Sequence, residues 1–116
     1  MSCIGEGIPF KLHHSITSLN LNECYIGLDG VKSLVEALNN NSTVTSLNLR
    51  GDKIGILGST YVAQALKSIC SLSYLDLSKN EIENEGLNHI LKSLETRNTI
   101  TNLILSWNNI KGKEGS

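Results

Sequence analysis

Apolar residues follow two alternating rhythms along this chain. In Leu19-Asn20-Leu21, Leu47-Asn48-Leu49 and Leu75-Asp76-Leu77 they alternate with polar residues. A period of two predicts short strands with one buried face. Further on the period lengthens: Val31, Leu34, Val35 and Leu38 stand at i, i+3, i+4 and i+7, the stripe of a single helix face. The next copy offers Val62, Ala63 and Leu66, its start weakened by Ser59, and a third offers Leu87, Ile90, Leu91 and Leu94. Strand, loop, helix and return loop therefore recur as one unit.

That unit is 28 residues long and keeps its register without an insertion. Ile16-x-x-Leu19-x-Leu21-x-x-Cys24-x-Ile26 returns as Val44-x-x-Leu47-x-Leu49-x-x-Asp52-x-Ile54. It returns again as Leu72-x-x-Leu75-x-Leu77-x-x-Asn80-x-Ile82 and as Ile100-x-x-Leu103-x-Leu105-x-x-Asn108-x-Ile110. The spacing resembles the leucine-rich repeat pattern L-x-x-L-x-L-x-x-N/C-x-L. A unit of this length with a full helix resembles the ribonuclease-inhibitor-like class of that family, found also in NOD-like receptors and in the Ran GTPase-activating protein. The resemblance implies an α/β solenoid, a short right-handed horseshoe arc with parallel strands on the concave side and helices on the convex side. Each unit in such an array buries its leucine face against the next.

The expected organisation is an irregular N-terminal cap over residues 1–15 and repeats over 16–43, 44–71, 72–99 and, in part, 100–116. In the cap, Cys3 and Phe10 align with Val31 and Leu38, but Pro9 interrupts the helix they would belong to. No polar cap closes the C-terminal side, where a fourth helix would begin at Lys111. That predicts a piece of a longer array, or an uncapped C-terminal end that self-associates or meets a partner.

Two columns of the repeat carry structural expectations. Gly30, Gly58 and Gly86 share one position before the helix, which calls for a positive φ or a close approach that a Cβ would block. Cys24, Asp52, Asn80 and Asn108 share another. The family resemblance implies an inward Asn that hydrogen-bonds the loop backbone, because an amide both donates and accepts. An ionised carboxylate only accepts. Asp52 therefore predicts either a loose loop over Gly51–Gly55 or a side chain turned to water.

Composition narrows the function. A formal charge of −1 with 18% charged residues gives no basis for a nucleic-acid or anionic-membrane partner. No run approaches the roughly 18 apolar residues of a membrane span. The first residues lack the apolar core of a secretory signal. Three cysteines without a C-x-x-C spacing read as reduced, packed thiols, Cys24 and Cys70 buried among them. Together these predict a cytoplasmic protein. Asn40 and Asn41 head formal glycosylation sequons and read as a helix-to-strand loop.

Catalytic chemistry is not visible. The glycines of the segment Gly51–Ser59 suggest a phosphate loop, but Gly55 and Gly58 align with Gly27 and Gly30 one repeat earlier, so register accounts for them. His13-His14 has no cysteine or histidine cluster beside it, and His89 falls on the polar side of its helix. Glu81, Glu83 and Glu85 read as a solvated loop. No metal, cofactor or catalytic residue is expected.

What remains is the outward strand face: Ser18, Asn20, Asn22; Ser46, Asn48, Arg50; Tyr74, Asp76, Ser78; Asn102, Ile104, Ser106, with Glu23, Gly51, Lys79 and Trp107 at its edge. Contact energy concentrates in Trp, Tyr and Arg, which points to Trp107, Tyr74 and Arg50. Asp76 and Lys79 supply orienting charge, and Asn20, Asn22 and Asn48 supply polar contacts. The expected function is recognition of a protein partner of unknown identity through these residues, without catalysis. The alternative is a regulatory fragment of GTPase-activating or NOD-like-receptor type; for the GTPase-activating type alone, Arg50 could be proposed as a catalytic arginine, and nothing in its sequence setting singles it out.

Overall fold

The computed structural model describes residues 16–39, 41–69, 71–96 and 99–111. The expected N-terminal cap with Pro9, Phe10 and His13-His14, the thiols of Cys3 and Cys70, and the segment after Lys111 lie outside them. Strand β1 (Ser18–Asn20) leads to helix α1 (Gly27–Asn39), β2 (Ser46–Asn48) to α2 (Gly55–Ser68), and β3 (Tyr74–Asp76) to α3 (Glu83–Thr96), with β4 (Asn102–Ile104) last. The strands form one parallel sheet in the order β1-β2-β3-β4. Leu19 pairs with Leu47, Leu47 with Leu75, and Leu75 with Leu103, so the sequence period is also the register of the sheet. Helix α2 packs against α1 on one side and α3 on the other.

The core lies between sheet and helices. Leu19, Leu21, Leu47, Leu49, Leu75 and Leu77 are buried from the strand side, and Val31, Leu34, Leu38, Val62, Leu66 and Ile90 from the helix side. Each such side chain contributes about 1.5–3 kcal/mol when fully removed from water. Leu91 departs from the predicted stripe and is 46% exposed. Its neighbours Leu87 and Leu94 are partly buried against the core, and Ile90 is fully buried at the centre of α3.

The Gly30, Gly58 and Gly86 column is explained by close approach, not by φ. A Cβ at any of them would stand 2.6 Å from the isoleucine four residues earlier, Ile26, Ile54 or Ile82. The left-handed position is instead the first residue of each helix, Gly27 (φ 68), Gly55 (φ 69) and Glu83 (φ 64). There the amide donates to the carbonyl of the next repeat, at Asp52, Asn80 and Asn108 respectively. Glutamate at that position strains the backbone by about 1–2 kcal/mol, partly offset by the greater freedom glycine has when unfolded. Glu83→Gly is therefore expected to raise stability by about 0.5–1 kcal/mol, read as a higher midpoint in urea with an unchanged slope.

Hydroxyl columns that the apolar pattern does not reveal also tie repeats together. Thr43, Ser71 and Thr99 donate to the carbonyls of Ile16, Val44 and Leu72 at 2.6, 2.7 and 2.6 Å. These bonds hold the return loops at the helix-to-strand end.

Candidate functional site

The loops that leave the strands carry both a buried polar network and large exposed side chains. Their frame is the column of Asn80 and Asn108, both buried. Asn80 Oδ1 accepts the amides of Asp52 and Ile54 at 2.8 and 3.2 Å. Its Nδ2 donates towards the carbonyls of Leu49, Leu77 and Ser78 at 2.8, 3.0 and 3.0 Å. Asn108 repeats the pattern one unit on, accepting from Asn80 and Ile82 and donating towards Leu77, Leu105 and Ser106. One amide thus ties its own loop to the loop before it.

Asp52 holds the same place, and the alternative of a solvent-facing carboxyl fails. It is 0% exposed, and its Oδ1 accepts the Cys24 amide at 2.7 Å. The inward carboxyl shares the Cys24 amide with the Leu21 carbonyl, which accepts it at 3.2 Å. Cys24 corrects a second expectation. It is half-buried and disulfide-bonded, its partner lying outside the described residues, which removes the cysteine argument for a cytoplasmic setting.

The frame forces left-handed backbone on its flanks. Glu23, Lys79 and Trp107 have φ of 55, 58 and 61°, and Gly51 has 69° at the same repeat position. Tyr25, Lys53, Glu81 and Asn109 are left-handed in the next column. Side chains in both columns project from the loop edge. Trp107 is 79% exposed and Tyr25 62%. The Lys53 ammonium sits 5.3 Å from the Tyr25 ring centroid. Lys79 Nζ lies 3.8 Å from Glu23 Oε2, reaching over Gly51. A Cβ on Gly51 would come within 2.9 Å of Glu23 Cγ, so the missing side chain lets that pair form. Between them opens a cleft of about 190 Å³, lined by Glu23, Tyr25, Gly51, Lys53, Lys79, Asn80 and Glu81. The pair is half exposed at both ends, so it orients these side chains and adds little stability.

The strand face is more closed than its sequence implies. Asn20 and Asn22 are exposed, while Asn48, Arg50 and Tyr74 are half-buried. Asp76 is only 8% exposed and Ser78 0%, so Asp76 is not a solvent-facing charge. Its Oδ1 accepts the Ser78 amide at 2.9 Å, as Asn20 accepts from Asn22 and Asn48 from Arg50. These side chains close a turn at the end of β1, β2 and β3, a local role that short Asn and Asp side chains favour. Residues placed on the exposed rim are Asn22, Lys79 and Trp107; Tyr25, Lys53 and Glu81 join them. Tyr25 and Lys53 were not evident from the alternation of apolar residues, since they lie one residue past the buried column. Their own column of Tyr25, Lys53, Glu81 and Asn109, without an apolar aliphatic member, was the available signal.

Known proteins share this architecture. The family model described as Leucine Rich repeat matches residues 13–35 and 68–94. The solved structure of leiomodin-1 actin-binding site 2 superposes with a TM-score of 0.79 at 25% identity, covering 87% of this chain. The chain spans 60% of the length of that structure. No curated protein sequence matches significantly. With a strand-and-helix unit in one register, an inward amide column and these likenesses, the chain has the α/β solenoid fold of leucine-rich-repeat proteins.

Proposed function

We propose that this chain is a non-catalytic scaffold of the ribonuclease-inhibitor-like class that holds a protein partner along its loop edge and concave strands. Helices of 13 or 14 residues in every described unit support that class. The observation that carries the function is Trp107. A large indole, 79% exposed, stands on left-handed backbone where its own chain covers little of it. It costs conformational energy there and contributes almost no burial in return, which fits a side chain kept for contact. Exposed tryptophan and tyrosine are the side chains in which binding energy concentrates. The scaffold is fixed by hydrogen bonds between repeats, so little ordering cost is added on association.

Actin is the first partner to test, because the similar leiomodin-1 structure is an actin-binding site. Purified actin is expected to bind the chain, and Trp107→Ala is expected to weaken that binding at least about tenfold without changing the melting temperature. No binding would remove actin as the partner, and equal binding by Trp107→Ala would move the contact off the loop edge.

A further inference from the structure

We propose that Asp52 is a proton-operated latch that fastens the loop of the second repeat to that of the first. The inference is independent of the protein-binding reading. Asp52 is fully buried. One carboxyl oxygen accepts the Cys24 amide, but the other, Oδ2, is buried without a hydrogen-bond partner. In Asn80 and Asn108 the atom in that place is an NH₂ donating towards three carbonyls, those 31, 3 and 2 residues earlier. The repeat register places the carbonyls of Leu21, Leu49 and Arg50 around Oδ2. An ionised Oδ2 faces only acceptors there. A protonated Oδ2 carries a donor and makes the bond that the amide makes in the neighbouring repeats.

The charged and titratable groups nearby come from three loops: Glu23 and Tyr25 from the first, Lys53 from its own, Lys79 and Glu81 from the third, all lining the same cleft. Burial raises the carboxyl from 3.8 to about 6, against the amides of Cys24, Tyr25 and Ile26, which lower it, and with the charge of Glu23, which raises it further. A group raised in the folded state holds its proton there while the unfolded chain has lost it. Its stabilisation is full below 3.8 and is lost as pH rises through about 6. The latch is therefore fastened through both carboxyl oxygens in mild acid and through Oδ1 alone at neutral pH, which weakens the tie between the first two loops.

The test compares melting temperatures of wild type and Asp52→Asn between about pH 4.5 and 7.5, alongside carbon NMR titration of the wild-type Asp52 carboxyl. Wild type is expected to lose about 5 °C or more relative to Asp52→Asn as pH rises across this window. The carboxyl is expected to titrate well above the ordinary aspartate range. Parallel melting profiles, or a carboxyl titrating at its ordinary value, would overturn the proposal. The NMR titration decides alone if Asp52→Asn does not fold.

Discussion

Asn80→Ala is expected to lower stability by about 4 kcal/mol, a fall of roughly 15–25 °C in melting temperature for a domain of this size. The argument is a count of what loses a partner. Two amides, of Asp52 and Ile54, lose their acceptor, and the carbonyls of Leu49, Leu77 and Ser78 lose a donor. The side chain is 0% exposed, so no water replaces it without rearrangement. A buried polar group left unsatisfied costs about 1–3 kcal/mol, and relaxation of the loop keeps the total below the simple sum. Asn22→Ala, at an exposed loop position, is the control and is expected to change the melting temperature by no more than a degree or two. Urea denaturation of both variants checks the prediction.

Leu75→Ala is expected to cost about 3–4 kcal/mol, the usual range for a leucine removed from a tightly packed core. Leu75 is 0% exposed in the third strand and pairs in register with Leu47 on one side and Leu103 on the other. Truncation therefore opens a hole between sheet and helices that no single side chain can fill. Leu91→Ala, at a position 46% exposed, is expected to cost less than about 1 kcal/mol. A similar loss for both would contradict the burial that separates them.

The solenoid was legible because its two periods obey different geometry. Leucines two apart line a strand face, residues three and four apart line a helix face, and the constant unit length fixes the parallel register. The amide column was legible through the hydrogen-bonding capacity of Asn. The fate of Asp52 was not, because the choice between turning to water and staying inside depends on the Cys24 amide one repeat away, a partner 28 residues distant. Leu91 fits the apolar stripe by spacing alone, yet burial needs a surface on the far side, which periodicity does not report. Asp76 reads as an outward charge by alternation, while its turn with Ser78 and the neighbouring strands cover it. Tyr25 and Lys53 were hidden because left-handed loop positions leave no trace in hydrophobic period; only a column-by-column comparison of repeats brings them out. Trp107, Arg50, Tyr74 and Lys79 stand out by residue type, and the structure places them on the strand face or its edge without saying what they hold.

The central claim is that partner binding resides on the strand face and loop edge and not on the helices. The measurement that tests it is affinity capture from lysate, read by mass spectrometry, with three forms of the protein: wild type, Arg50→Glu with Tyr74→Ala, and Lys67→Glu with Lys92→Glu on the exposed sides of α2 and α3. The account predicts a protein held by wild type and by the helix variant and lost from the strand-face variant. Equal capture by all three, or loss from the helix variant alone, would contradict it.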